Sequence, residues 1–237
     1  MADRLSAIRE LATIRDNYYK AVEKIMNDQP TIDVNTDIRI RLFGSSFSVL
    51  DTAILSLIYS HKYLTNISWW PKVKRDYALQ PPKQSDLPDM IDGIDRIVYL
   101  SCFQFMFAVI EHAIRCILRQ LDYNEYVKDE KFYNVSRSLL KKLNLTNYYD
   151  LIDILITIRN TIHNNGIYSP PYKNKYRKDK AVTFQGNKDV FKVDKPIQLK
   201  DFWLLTFDLL TEMLNMVTDI VNSKSIKYST HRRSFEA

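Results

Sequence analysis

Glycine is scarce in this chain, with 4 among 237 residues. The shortage argues against a glycine-rich phosphate loop and against a β-rich fold built on tight turns. Cysteine is scarcer: Cys102 and Cys116 are the only two, and both fall in one apolar helical stretch. No Cys-x-x-Cys or Cys/His grouping accompanies them, so neither a disulfide framework nor a zinc site is suggested. Two buried free thiols are expected, and no metal or other cofactor. The longest apolar run, Val98 to Ile110, is too short for a membrane span and contains Gln104. The opening segment, MADRLSAIRELATIRDNYYK, is charged throughout and lacks an apolar signal core. A cytoplasmic protein without membrane attachment is expected.

What is present fits one large domain or two small ones. Hydrophobic residues make up 46% of the chain, enough for a sizeable core. Lys and Arg number 34 against 28 Asp and Glu. A surplus of this size suits a polyanionic partner such as RNA without requiring one.

Helical periodicity dominates. Leu5, Ile8, Leu11, Ile14, Tyr18, Val22 and Ile25 recur at three- and four-residue steps and predict a helix over residues 3–27, ended by Pro30. A second helix is expected from about Asp37 to Leu64. The stretch from Asn66 to Met90 holds Trp69-Trp70-Pro71, Pro81-Pro82 and Pro88, and reads as an irregular connection. A third helix, about Ile94 to Leu121, is apolar almost all round and belongs in the middle of a bundle. A short helix near residues 127–143 should be broken by Leu143-Asn144-Leu145-Thr146. A fifth runs from about Tyr148 to Asn164, where Asn164-Asn165-Gly166 is a strong stop. Pro170-Pro171 then excludes helix. The segments 181–184 and 190–193 flank Gln185-Gly186-Asn187-Lys188-Asp189 as a plausible β-hairpin. A last helix spans about 199–222, and residues 223–237 read as a basic, poorly ordered tail. The fold class expected is an all-α bundle with a small β-hairpin insertion near the C-terminal helix.

The end of the fifth helix reads Ile158-Arg159-Asn160-Thr161-Ile162-His163-Asn164-Asn165-Gly166. Its Arg159, Asn160 and His163 resemble the signature of the HEPN superfamily, an Arg followed by a polar residue and then a His near the end of a long helix. The helices before and after fit as well, so the resemblance covers about Ile94 to Asn222. It implies an N-terminal helical region, 1–93, packed on a HEPN-like domain, 94–222, whose hairpin insertion occupies 167–197. Three residues separate Arg159 from His163, fewer than is usual in the superfamily. Even so, positions i and i+4 of a helix share a face.

The resemblance implies a metal-independent endoribonuclease of a bacterial toxin–antitoxin or phage-defence system. Cleavage would proceed by attack of the 2′-hydroxyl on the neighbouring phosphate. Histidine titrates in the range that proton transfer needs, arginine forks its donors onto phosphate oxygens, and Asn160 orients a neighbour or the nucleotide. A homodimer, with two motifs facing one cleft, is implied because one His cannot easily serve both sides of a phosphate. An antitoxin or a defence-complex partner is implied in the same way. The alternative is a non-catalytic HEPN-like module that binds nucleotide, RNA or a partner protein; a third reading is a structural helical adaptor. Simple capping also favours Arg, His and Asn at a helix C-terminus.

Weaker candidates surround the motif. Glu111 and Arg115, with His112 beside them, form either a second wall of the cleft or an internal ion pair that fixes packing. Asn164 could support the site or only stop the helix. Lys173, Lys175, Arg177, Lys178 and Lys180, interleaved with Tyr172 and Tyr176, form either an RNA-binding rim or a solvated basic loop. Trp69-Trp70 marks either a partner surface or bundle packing.

Overall fold

The computed structural model describes residues 4–30, 32, 33, 35, 37–128, 131–164, 179–184, 187–195 and 202–227. Helix α1 covers Arg4–Asp28 and α2 Ile38–Leu64, and α3 is a short helix over Trp70–Tyr77. The long α4 spans Leu87–Leu121, followed by α5 (Tyr123–Lys128), α6 (Phe132–Lys142) and α7 (Tyr149–His163). Strands β1 (Lys180–Phe184) and β2 (Asn187–Phe191) pair antiparallel, Lys180 opposite Phe191 and Phe184 opposite Asn187. Helices α8 (Phe202–Asn222) and α9 (Lys224–Lys227) follow. The protein is mainly helical.

Local chemistry sets several of these boundaries. The Asp37 side chain accepts the Arg39 backbone N–H at 2.9 Å and caps α2. The same carboxylate takes both ends of the Arg39 guanidinium fork, at 2.8 and 2.6 Å, in a pair that is almost fully buried. Helix α6 stops where Asn144 enters the left-handed region, at φ 59°. The Leu145 N–H then reaches Leu140 O at 2.8 Å and the Asn144 N–H reaches Lys141 O at 3.2 Å, the double bond of a Schellman ending. The expected break at Leu143-Asn144-Leu145-Thr146 thus has a specific backbone cause, and it turns the chain into α7.

One core cluster joins α1, α2 and α4 through α9. Helix α4 is central and packs against α2, α6, α7 and α8. Helix α1 contributes Leu11, Ile14, Tyr18 and Ile25 to the core, each at most 2% exposed. At about 1.5–3 kcal/mol for each fully buried side chain, α1 is a structural part of the bundle. Tyr18 packs edge-to-face on Phe43 of α2 at 5.9 Å, and Arg4 pairs with Asp95 of α4.

Several expectations are corrected. The connection after α2 is not wholly irregular: Pro71 sits in the first turn of α3, where its missing N–H has no helical partner to lose. For the same reason α4 begins at Leu87, with Pro88 in its first turn. Residues 127–143 are not one helix: α5 ends at Lys128 and α6 begins at Phe132. The second strand begins at Asn187, nearer the first than expected. Residues 224–227 are helical, with Ile226 buried and its carbonyl accepting from Arg39 at 3.3 Å, so the first part of the expected tail is docked. Cys102 is buried, but Cys116 is partly exposed, its Sγ 3.6 Å from His112 Nε2.

Counted over whole helices instead of unbroken apolar runs, two segments among the described residues are long and apolar enough to cross a membrane. Ile38–Leu64 and Gln84–Leu121 hold 18-residue windows of mean hydropathy 1.5 and 1.7, of which 33% and 44% are buried in the bundle.

Candidate functional site

Helix α7 is buried over most of its circumference. Leu151, Ile152, Ile154, Leu155 and Ile158 are in the core. Thr157 and Thr161 join them, because each hydroxyl donates back along the helix, to Asp153 O at 2.6 Å and Thr157 O at 2.7 Å. Ile162 is only partly buried. The remaining narrow stripe carries the motif. Arg159 is half-buried, and Asn160, His163 and Asn164 are exposed.

The Arg159 Nη1 donates to Asn160 Oδ1 at 3.2 Å. No carboxylate lies within ion-pair distance of Arg159 among the described residues, and His163 makes no hydrogen bond there. One helical turn separates the two side chains, about 6 Å along the axis and about 40° around it. The helix ends at His163. Asn164 follows at φ −99°, its N–H bonding back to Thr161 O at 3.1 Å, so the stop does not use a left-handed Asn164.

Glu111 and Arg115 form an i,i+4 ion pair at 2.7 Å, and the Arg115 guanidinium lies 5.7 Å from the Phe132 ring centre. The Arg115–Phe132 contact ties α4 to α6. Tyr172, Lys173, Lys175, Arg177 and Lys178 lie outside the described residues, as do Asn165 and Gly166. Lys180 is described, and it does not stand in solvent. Its Nζ donates to Thr157 Oγ1 at 2.7 Å, and burial lowers its pKa, with Asp153 opposing and Arg137 adding to the shift. Trp69 and Trp70 are partly buried and pack on each other at 5.0 Å, with Trp69 also on Tyr63. Among the described residues, no group of three or more His, Cys, Asp or Glu side chains is placed to hold a metal ion.

A second polar grouping escaped the reading of the sequence. Arg137 of α6 pairs with Asp153 of α7 at 3.1 Å, and its guanidinium lies between Tyr133 and Tyr149, 4.7 and 4.4 Å from the ring centres. Its signal was present as Asn134, Arg137, Ser138 and Lys141 at helical spacing, but which helix would face them was not.

No family model, curated protein or solved structure matches this chain.

Proposed function

We propose that this chain is a metal-independent endoribonuclease of HEPN type, acting as a toxin or defence effector. In this reading the α4–α8 bundle is the HEPN domain and the β1–β2 pair is its insertion. One observation carries the proposal. Arg159 is half-buried and has no ion-pair partner among the described residues, with an exposed histidine one turn further along the same stripe. A guanidinium not neutralised by a carboxylate keeps its charge for phosphate, and Asn160 restrains its orientation.

The chemistry then runs on this chain's own side chains. A base removes the proton of the 2′-hydroxyl, whose oxygen attacks the adjacent phosphorus. The bond to the 5′-oxygen breaks, and that oxygen takes a proton from an acid. The products are a 2′,3′-cyclic phosphate and a 5′-hydroxyl. Arg159 faces the extra negative charge on the phosphoryl oxygens. His163 serves as base or acid, and a second His163 from a homodimer supplies the other role. RNA is the substrate.

The second reading is the non-catalytic module that binds nucleotide, RNA or a partner protein. What favours it is that His163 has no orienting hydrogen bond among the described residues, whereas acid–base histidines are held by one. The test is cleavage of a single-stranded RNA oligonucleotide in excess chelator, with the product ends identified by mass. Cyclic-phosphate ends are expected. His163→Ala and Arg159→Ala should each slow cleavage on the order of 10²–10⁴-fold. RNA that is bound but never cut, equally well by wild type and His163→Ala, refutes the nuclease and leaves the binding module.

A further inference from the structure

At the other end of α7, about 20 Å along the helix from His163, the chain forms a cavity of about 300 Å³ between α5, α6 and Tyr149. Its polar lining is Glu125, Asn134, Arg137, Ser138 and Lys141. The volume lies at the low end for ligand pockets and matches a small molecule.

The charges in this cavity are placed as recognition groups are. A guanidinium has five N–H donors. Arg137 commits one to Asp153 at 3.1 Å, and its Nε is buried without an acceptor. The Tyr133 and Tyr149 rings, 4.7 and 4.4 Å from the guanidinium, restrain it by cation–π attraction. Asp153 Oδ1 is buried without a donor, so among the described residues this ion pair leaves hydrogen-bonding capacity unused on both partners, a costly arrangement in a buried place. Lys141 lies one turn beyond Arg137 on the same face of α6. It is exposed and has no ion-pair partner among the described residues. Lys180 adds a third positive group nearby, one that feels both Arg137 and Asp153. Across the cavity Ser138 Oγ donates to Glu125 Oε1 at 3.2 Å, which holds one carboxylate oxygen in place.

We propose that this cavity binds a small oxyanion-bearing molecule, a phosphate monoester or a carboxylate, whose organic body rests on Tyr149 and Val135. The oxyanion takes Lys141 Nζ and the uncommitted Nη donors of Arg137. A hydroxyl or amino group on the body donates to Glu125. The site is independent of Arg159 and His163, and stands whether or not the chain cuts RNA.

The experiment is a titration of the full chain, labelled with ¹⁵N, by phenyl phosphate, benzoate and inorganic phosphate at physiological salt. Phenyl phosphate or benzoate is expected to move the amide signals of Glu125, Asn134 to Lys141 and Tyr149 saturably. Whichever of the two binds more tightly identifies the head group. Inorganic phosphate, which has no body to pack, should bind more weakly than phenyl phosphate. Lys141→Gln, at an exposed position, leaves the fold intact and should weaken binding about tenfold, the worth of one charge-assisted contact. Arg137→Gln should abolish binding, with its melting curve as the check on folding. The proposal is overturned if neither organic anion gives saturable shifts at these residues, or if Lys141→Gln binds as wild type does. It is also overturned if a single-stranded RNA oligonucleotide moves these signals while both small anions leave them unchanged.

Discussion

Removing the charge of Asp153 should strand two cations, and the cost can be worked from their surroundings. Asp153 pairs with Arg137 at 3.1 Å, with 26% and 31% of the side chains exposed, and it is the negative group that opposes the lowered pKa of Lys180. Asp153→Asn keeps the shape and removes the charge. Breaking a fully buried pair costs about 3–5 kcal/mol, and an exposed pair is worth about 0–1 kcal/mol. With a quarter to a third of each side chain still wet, about 2 kcal/mol is expected. In a chain of this length that is a fall of about 4–8 °C in Tm, read by circular dichroism at 222 nm.

The pH dependence carries the sign. Burial lowers the Lys180 pKa from 10.5 in the folded chain, so between the folded and unfolded values the unfolded state binds more protons and stability rises with pH. Without Asp153 the folded value drops further, and by pH 10 a larger share of Lys180 is neutral. The Tm deficit of Asp153→Asn relative to wild type should therefore be smaller at pH 10 than at pH 7. Lys180→Met in the Asp153→Asn background should recover part of the loss. A deficit that stays constant or grows with pH, or a variant as stable as wild type at pH 7, would refute the idea that these three charges act as one unit.

Tyr18 is fully buried, its hydroxyl has no hydrogen-bond partner among the described residues, and burial strongly raises its pKa. Tyr18→Phe should therefore stabilise the protein by about 1 kcal/mol, seen as a higher urea midpoint at unchanged slope; a lower midpoint would show that the hydroxyl is satisfied. Burial pushes the Cys102 thiol up to about 12, and Cys116 is raised too but remains partly exposed. An aromatic disulfide reagent at pH 8 should modify Cys116 in the native protein and reach Cys102 only on unfolding, and equal rates at both thiols would contradict the packing of α4.

The elements whose causes are local could be read from the sequence. Asp37 caps the helix that follows it, Asn144 turns the chain after α6, and the three- and four-residue steps place Arg159 and His163 on one stripe of α7. These follow from contacts between residues one turn apart, which any helix makes wherever it lies in the fold. The short α3 and the early start of α4 are hidden in the sequence by Pro71 and Pro88, which read as breakers although proline suits a first turn. Only the tertiary structure decided which groups meet across elements. It set Arg137 between Tyr133 and Tyr149 and opposite Asp153, placed Lys180 against Thr157, docked Ile226 under Arg39 and left Cys116 partly exposed. Partners this far apart in the chain are chosen by which helix faces bury together. Core packing settles that globally, and the period of one helix carries no information about the face of another.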